Sequence, residues 1–240
     1  MLFLLRQLRR SFFQPGKLRT YVAYALGEIL LIVIGILIAL QIQNWNQQRL
    51  DRIEEGYLLI ELIDNLNQEV ERLEVGTERL REQNESFYQI RSFLKSDGTS
   101  EDEFQKNMAD FSGNFAFNPI TSAYETMKST GLGFSNRELK RMLVQYYDVN
   151  QPLLLRTLDS QREFNRSHIQ PIIINYMPEG GYTEGRRVPK DVDDPEFREA
   201  VLGVIGSLIG RSNLAIERCE NIYQMNREIL TTVKEELERI

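Results

Sequence analysis

The sequence has very few of the side chains on which metal and thiol chemistry depends, with one Cys, one His and one Trp among 240 residues. Cys219 alone forms no disulfide within the chain, and Cys219 with His168 supplies too few ligands for a zinc site. We interpret both as residues packed on helical faces. The Gly-rich phosphate loop, the G-x-S-x-G turn and the H-E-x-x-H helix are also missing from the sequence. We therefore expect a protein that binds no metal or cofactor and is not an enzyme.

An acidic cluster at residues 191–196 is the strongest remaining candidate for a metal site. Asp191, Asp193, Asp194 and Glu196 lie close together in the sequence, but they lack the Gly and the twelfth-position Glu of an EF-hand calcium loop. We interpret the cluster as a solvent-exposed loop that leads into a helix N-cap.

Charge is almost missing from residues 21–40, which read YVAYALGEILLIVIGILIAL with Glu28 as their one charged side chain. Twenty helical residues rise about 30 Å, the thickness of the hydrocarbon core of a bilayer. We predict a transmembrane helix over residues 21–43. A buried core helix and a cleaved signal peptide are the alternatives. The apolar run is longer than the core of a signal peptide and no A-x-A site follows it, which favours an uncleaved signal anchor.

The flanks of this span predict its orientation. Its amino-terminal side carries basic residues and no acidic ones, namely Arg6, Arg9, Arg10, Lys17 and Arg19. The positive-inside rule places such a flank in the cytoplasm. We predict that residues 1–20 form a basic cytoplasmic amphipathic segment on the anionic leaflet, and that residues 44–240 form an extracytoplasmic helical domain. Acidic residues outnumber basic ones by 35 to 29, and the excess lies after the span, so nucleic acid is not an expected partner.

Two long stripes with helical spacing predict an all-α fold. The first predicts a helix that continues the span outward, relaxes at Gly56 and Gly76, and ends near Ser96-Asp97-Gly98; it comprises Leu59, Ile63, Leu66, Val70, Leu73, Thr77, Leu80, Asn84, Phe87, Arg91 and Leu94. The second predicts a helix of about forty residues after Asp194-Pro195-Glu196; it comprises Leu202, Ile205, Ile209, Ser212, Ile216, Cys219, Tyr223, Asn226, Leu230, Val233, Leu237 and Ile240. Polar interruptions on both stripes favour an antiparallel bundle of long helices over a dedicated coiled coil.

Shorter helices are predicted between the two long ones. Their expected starts are Asn118-Pro119, Ser135-Asn136 and Pro152, and Pro152 either starts or kinks the third helix, which runs towards Pro171. Residues 178–194 contain Gly and Pro and are predicted to form a surface loop. The sequence has no convincing hairpin pattern, although Ile172–Ile174 is ambiguous between helix and strand.

Two stretches carry a resemblance to a known family. The first is YALGEI at Tyr24–Ile29 with IGILIALQIQNWN at Ile34–Asn46, and the second is SAYETMKSTG at Ser122–Gly131 with the following Asn136-x-Glu138-Leu139. They resemble a family of bacterial single-span membrane proteins classed only as a domain of unknown function. Gln43 and Gln47 depart from the expected Asn and Glu. The resemblance implies the inner, cytoplasmic membrane with a periplasmic carboxyl-terminal domain, and it implies no activity, substrate or cofactor.

Small residues and one acid mark a side of the predicted span. Ala23, Gly27, Gly35 and Ala39 form two small-xxx-small pairs beside Glu28. An ionisable group within a span costs about 2.5–3.5 kcal/mol and faces protein or water. We predict that these residues form a membrane-helix interface, through which the chain associates with itself or with another membrane protein. A neutral Glu28 bonded to a backbone carbonyl, or Glu28 as a proton relay, are the alternatives.

Trp45 lies just beyond the predicted span. Trp at this depth is typical of an interfacial anchor at the level of the lipid headgroups. The bilayer is therefore the first expected partner of the chain.

Two functions remain open from the sequence. The first is a non-enzymatic membrane-anchored envelope protein, a sensor-like or scaffold subunit whose helical domain binds a partner. The second is an accessory subunit of an energised membrane complex, with Glu28 in a proton pathway.

Overall fold

The computed structural model describes residues 17–95, 100–130, 136–177, 182–183 and 185–239, with side chains described at all of these except 17–20 and 182–183. Almost all of the described residues are helical, which confirms the all-α prediction. The chain divides into two compact units, the first ending at Glu54 and the second being Glu55–Ile240. The α-helices are α1 (Lys17–Leu94), α2 (Glu101–Met108), α3 (Ser122–Thr130), α4 (Arg137–Val144), α5 (Gln151–Phe164), α6 (Gln170–Tyr176) and α7 (Pro195–Leu237).

Helix α1 is continuous over 78 residues, so it does not relax at either glycine. Gly56 faces open space, whereas a Cβ at Gly76 would lie 2.1 Å from the ring of Phe115. Gly76 therefore lets the ring of Phe115 cross α1 at close range, which is a packing role and not a hinge. The predicted end of the helix near Ser96-Asp97-Gly98 lies outside the described residues.

Helix α7 begins as the sequence predicts. The Asp194 side chain accepts a hydrogen bond from the Glu196 N–H at 2.9 Å, Pro195 occupies the first turn, and the helix runs for 43 residues. Within the second unit α7 runs antiparallel to α1, because residues near its start contact the end of α1. Arg198 donates to the Leu94 carbonyl at 2.8 Å, and further along Ser212 donates to the Leu80 carbonyl at 3.4 Å.

The apolar core of the second unit has two clusters, and α1 and α7 contribute to both. One cluster centres on Leu66, Leu73 and Tyr146, and the other on Phe87, Phe104 and Phe197. Seven of the eleven residues of the predicted α1 stripe are buried, namely Leu59, Leu66, Leu73, Thr77, Leu80, Phe87 and Leu94.

The stripe is incomplete at its other four positions, since Ile63, Val70, Asn84 and Arg91 are only partly buried, although Ile63 and Val70 still pack against the core. The second buried row of α1 comprises Leu62, Glu69, Gln83 and Ile90 instead. The segment after α2, the stretch before α3 and the start of α5 lie on that side of α1, as contacts from Glu69 and Gln83 show. Glu69 and Gln83 interrupt this buried row, so a pattern that counts only apolar residues does not detect it.

Prolines do not separate the helices between residues 137 and 176. Helices α4, α5 and α6 follow one another directly, joined by π-helical turns at Gln145–Asn150 and Asn165–Ile169. Each π turn ends just before a proline, Pro152 or Pro171. Proline lacks an N–H and crowds the carbonyl four residues earlier, and the wider turn accommodates both effects. Helix α5 begins at Gln151 with Pro152 in its first turn, as the first of the two predicted alternatives has it, although no break separates it from α4, and Ile172–Ile174 are helical.

Three further details differ from the sequence prediction. Helix α2 was not expected, although Ser100 caps it by accepting from the Glu103 N–H at 3.3 Å. Helix α3 begins at Ser122 and not at Asn118-Pro119. The predicted loop at 178–194 contains a two-residue antiparallel pair, β1 (Tyr182–Thr183) with β2 (Arg186–Arg187), and Gly185 takes a positive φ of 75° in its turn.

Candidate functional site

The residues predicted to face the membrane all lie on α1. Ala23, Gly27, Glu28, Gly35 and Ala39 are exposed, as is Trp45 at 66% of its surface. A Cβ at Gly27 or Gly35 would meet nothing within 4 Å among the described residues. The described part of the chain therefore places no second helix against this row, and its role as an interface stays a prediction.

The small residues follow a slanted row on α1. Four residues advance about 40° beyond one full helical turn, so steps of four from Ala23 to Ala39 wind gradually around the helix. The Ala23–Gly27 pair and the Gly35–Ala39 pair consequently point about 120° apart. A straight partner helix contacts one of these pairs at its crossing point more closely than the other.

Two described helices, α1 and α7, are long and apolar enough to cross a membrane by length and composition. The apolar window of α1 has 0% of its residues buried, whereas 33% of the α7 window is buried. Val201, Ile205 and Ile209 of α7 belong to the core of the second unit. Packing explains the apolar character of α7, and nothing in the described chain covers the window of α1.

A buried carboxylate forms the most elaborate polar site of the second unit. Glu69 has no exposed surface and accepts hydrogen bonds from three donors. These are the Ile120 N–H at 2.6 Å, the Tyr146 hydroxyl at 2.6 Å and the Gln151 amide at 3.0 and 3.1 Å. The site therefore joins α1, the segment before α3, the first π turn and α5.

The hydrogen-bond chain continues from Glu69 into α7. The Asn226 amide donates to the Tyr146 hydroxyl at 2.8 Å, and both residues are fully buried. Burial raises the pKa of Glu69 above its ordinary value, although hydrogen bonds from Tyr146 and Ile120 and the charge of Arg72 oppose that rise. Burial also raises the pKa of Tyr146, and the neighbouring Glu69 carboxylate reinforces this effect.

The chain of donors can accommodate a proton on Glu69. The Asn226 carbonyl oxygen is buried and has no hydrogen-bond partner among the described residues. If the Asn226 amide turns over, a protonated Glu69 donates to the Tyr146 oxygen and the Tyr146 hydroxyl donates to Asn226. In both protonation states of Glu69 the Tyr146 hydroxyl thus has one donor and one acceptor, and the structure has the arrangement suited to the carboxylate.

A second set of tyrosines lies beside this network. Tyr124 stacks on Tyr147 with ring centroids 4.6 Å apart, and Tyr147 meets Tyr146 edge to face at 4.8 Å. The Tyr124 hydroxyl donates to Asp148 at 2.7 Å, which lowers the pKa of that carboxyl with help from Lys128 at 3.2 Å. The first π turn, which supplies Tyr146, Tyr147 and Asp148, directs their side chains to both the core and the surface.

The sequence reasoning overlooked Glu69. Its signal was present, because Glu69 stands at helical spacing between Leu62, Leu66 and Leu73, all of which are buried. An acid at such a position needs hydrogen-bond partners if the helix packs. Tyr146, Gln151 and Asn226 could not be assigned to it without knowing which helices meet.

Several depressions lie on the surface of the second unit. A groove of 710 Å³ follows Phe115 and Phe117 beside α1, and a groove of 800 Å³ between α1 and α7 is lined by Glu74, Glu78, Glu217, Glu220 and other polar residues. A smaller cavity of 210 Å³ lies between α5 and α7 and has three arginines in its lining. These surfaces are open to binding, and none of them includes Glu69.

The other residues singled out in the sequence take part in packing, stacking or helix capping. Cys219 is buried, which raises the pKa of its thiol to about 11. His168 lies on a helical face and stacks on Phe164 with ring centroids 4.5 Å apart, but it is exposed and not packed in the core of the bundle. Asp194 caps α7 and Asp191 accepts from the Asp193 N–H, as expected for a loop. Within the described residues no group of three or more His, Cys, Asp or Glu could hold a metal ion.

Comparison with known proteins gives one match. The model of a family of unknown function (DUF6090) matches residues 28–148. This range includes the motif at Ile34–Asn46, the stretch Ser122–Gly131 and Glu69, while Gln151 and Asn226 follow it. No curated protein and no solved structure matches the chain. Because the match covers half of the sequence, the chain belongs to this family of unknown function.

Proposed function

We propose that the protein is anchored in the inner membrane by residues 21–43 of α1 and that its helical unit lies outside the cytoplasm, where it binds a partner without catalysing a reaction. The observation that carries this proposal is the exposed apolar window of α1. A contiguous apolar surface of this size on a soluble protein marks an interaction site, and its length suits a bilayer.

The basic residues before the span support the orientation. Lys17 and Arg19 belong to α1, and Arg6, Arg9 and Arg10 precede the described residues. Cytoplasmic flanks carry an excess of Lys and Arg, so the amino terminus belongs in the cytoplasm and the carboxyl terminus in the periplasm.

A reporter that is active only outside the cytoplasm tests this topology when it is fused after Ile240. We expect activity from that fusion, and we expect protease added to spheroplasts to degrade the chain after about Trp45. A matched fusion after Lys17 should be inactive. Protection of the helical unit in intact spheroplasts would show that the orientation is wrong.

The proposed role of the helical unit is that of a sensor-like or scaffold subunit. Two features support binding over catalysis. The buried polar groups around Glu69 tie several helices together at a site with no exposed surface, and the two larger depressions that reach the surface are open grooves beside α1. Purification of the full chain from native membranes in mild detergent, followed by mass spectrometry, should recover a partner in fixed proportion.

Glu28 motivates the second candidate function, an accessory subunit of an energised membrane complex. It is an exposed carboxyl within an apolar stretch, where ionisable groups belong to proton or ion pathways or bond to partners. The substitution Glu28→Gln discriminates between the two functions. Loss of a proton-linked phenotype with an intact complex favours the second, and an unchanged phenotype favours the first.

A further inference from the structure

The cavity between α5 and α7 combines positive charge with hydroxyl groups. Its lining comprises Leu153, Arg156, Thr157 and Ser160 from α5 and Arg211, Leu214 and Arg218 from α7. Residues spaced by three or four lie on one face of a helix, so each helix presents one arginine-bearing face to the cavity. Packing of α5 against α7 joins these two faces.

Among the residues that the structure describes, the three arginines have no acidic partner. None of Arg156, Arg211 and Arg218 forms an ion pair with a carboxylate of the described residues, and no acid lines the cavity. Nearby acids in the sequence lie elsewhere, since Asp159 pairs with Arg162 at 2.9 Å, Glu220 pairs with Arg81 at 2.6 Å, and Glu217 lines the groove between α1 and α7. Clustered positive charges without counter-charges repel one another, which is unusual in an acidic chain.

Local contacts hold one arginine in place and leave another unsatisfied. The guanidinium of Arg211 donates to the Ser160 hydroxyl at 2.7 Å and to its carbonyl at 3.3 Å, and it lies 4.6 Å from the ring centre of Phe164. The Nε of Arg218 is buried and has no acceptor among the described residues. Buried donors are normally paired, so an acceptor is expected here.

We propose that this cavity binds a phosphate monoester group. Guanidinium groups match phosphate oxygens in geometry and charge. A phosphate dianion also balances the charge of three guanidinium groups better than a single carboxylate does. The hydroxyls of Thr157 and Ser160 add hydrogen-bonding groups at the same site. Leu153 and Leu214, exposed at 36% and 42%, flank the cavity and can contact a short carbon chain.

The size of the cavity limits the ligand. Its volume of 210 Å³ is below the usual range of about 300–1,000 Å³ for drug-sized ligands. It suits a phosphate with a few carbon atoms attached. Such a group occurs in soluble sugar or glycerol phosphates and in the headgroup of phosphatidic acid, and the binding chemistry is the same for both.

Glycerol 3-phosphate is the probe for this site. We expect saturable binding to the full chain in phosphatidylcholine nanodiscs by isothermal titration calorimetry, and none with glycerol. Arg156→Gln should weaken binding about tenfold or more, because it removes a charged donor from an exposed position without breaking a contact. Arg218→Gln should do the same. The matched control is Arg162→Gln on α5, which pairs with Asp159 outside the cavity and should bind as the parent does.

A second arm separates the two sources of phosphate. If phosphatidic acid is the natural source, its inclusion in the nanodiscs should compete with glycerol 3-phosphate and weaken the apparent affinity. An unchanged affinity for glycerol 3-phosphate would indicate that the natural ligand is a soluble phosphate ester. Absence of saturable binding in phosphatidylcholine nanodiscs, or equal affinity of the parent, Arg156→Gln and Arg218→Gln, would overturn the proposal. The result is independent of the topology experiment, since the cavity lies wholly within α5 and α7.

Discussion

Helix α1 carries two glutamates whose surroundings are opposite in kind. Glu28 is exposed among apolar side chains, and Glu69 is fully buried among hydrogen-bond donors from three other segments of the chain. In the first region the apolar side chains face outward and have no cover within the described residues. In the second the apolar side chains are covered and the polar one is satisfied inside. The part of α1 in the second unit therefore follows the pattern of a helix in water, and the first part of α1 follows the reverse pattern.

This contrast indicates which environment surrounds each region of α1. Residues 55–94 of α1 follow the pattern of a soluble protein, with a buried stripe and exposed charges. Residues 21–40 are apolar all round, which is typical of a helix surrounded by lipid or protein. Helix α7 passes the same test of length and composition as α1. Burial of its apolar side chains separates a core helix from a candidate span.

Detaching the two regions should have the largest effect. We predict that a fragment from Arg49 to Ile240 is soluble without detergent, whereas the full chain requires it, because the fragment lacks the exposed apolar window. Its circular dichroism spectrum should be predominantly helical and unchanged by reductant or chelator. A strand-rich spectrum, or loss of helix on addition of chelator, would contradict this prediction.

Removal of the buried glutamate should cause the next largest change. In the fragment, Glu69→Ala leaves the donors of Ile120, Tyr146 and Gln151 without an acceptor and opens a cavity. We expect a loss of about 3–5 kcal/mol in the free energy of unfolding, because each buried donor left unsatisfied costs about 1–3 kcal/mol and the cavity adds to that cost. Urea unfolding followed by circular dichroism measures it.

The matched control for this change is an exposed glutamate on the same helix. Glu82→Ala alters a solvent-facing side chain of α1 and should change the free energy of unfolding by less than about 0.5 kcal/mol. Equal effects of the two substitutions would show that the Glu69 network does not stabilise the fold.

The two glycines of α1 in the second unit offer a smaller, purely steric test. Gly56→Ala adds a methyl group in open space and should stabilise the fragment by up to about 1 kcal/mol through helix propensity. Gly76→Ala should instead destabilise it by about 1–3 kcal/mol, because the Phe115 ring occupies the position of the new Cβ. The double variant with Phe115→Ala removes the clash. A gain in stability from Gly76→Ala alone would show that the ring moves aside at little cost.

Much of the helical architecture could be predicted from local chemistry. Asp194 with Pro195 marks the start of α7, Asn136 caps α4 by accepting from the Glu138 and Leu139 N–H groups, and the predicted row through Leu66 and Leu73 is buried. These features depend on neighbours within one or two helical turns.

The rest depends on which segments meet in space. A proline predicts a break, yet the π turn before Pro152 lets the helix continue and directs Tyr146 towards Glu69. No residue within one turn of Glu69 predicts that Tyr146 and Asn226 belong to its hydrogen-bond network, because they lie 77 and 157 residues further along the chain. The arginine cavity is similar, because its two halves come from helices that are far apart in sequence.

The pH dependence of stability compares the Glu69 carboxyl in the folded core with the same carboxyl in the unfolded chain, where it is in water. Burial raises the folded-state pKa of Glu69 above its unfolded value. Its favourable contribution is therefore complete below the unfolded pKa and is lost as the pH rises through the folded pKa. Glu69→Gln resembles the protonated form and does not titrate. We expect the stability of the parent fragment relative to this variant to fall steadily as the pH rises above about 4.5.

Urea unfolding of both fragments between pH 4 and pH 8 measures that difference, and the other titrating groups largely cancel in it. Arg72 is the charged residue near Glu69 that opposes the rise in pKa. Its substitution by Gln should move the fall to higher pH. A stability difference that stays constant over the range would mean that Glu69 titrates as it does in the unfolded chain.

The smallest expected effect concerns the small-residue row of the first region. If the span associates with another helix, Gly27→Leu or Gly35→Leu should weaken association by roughly 1 kcal/mol, because the larger side chain separates the backbones. The two substitutions should not be equal, since the row winds around α1 and one pair lies nearer the crossing point. Ala25→Leu is the matched control at the depth of Gly27, on the opposite side of the helix. Crosslinking through Cys placed along residues 23–39, or a membrane two-hybrid assay, measures association. If Ala25→Leu has the same effect as Gly27→Leu, the row marks no interface and the span serves as an anchor alone.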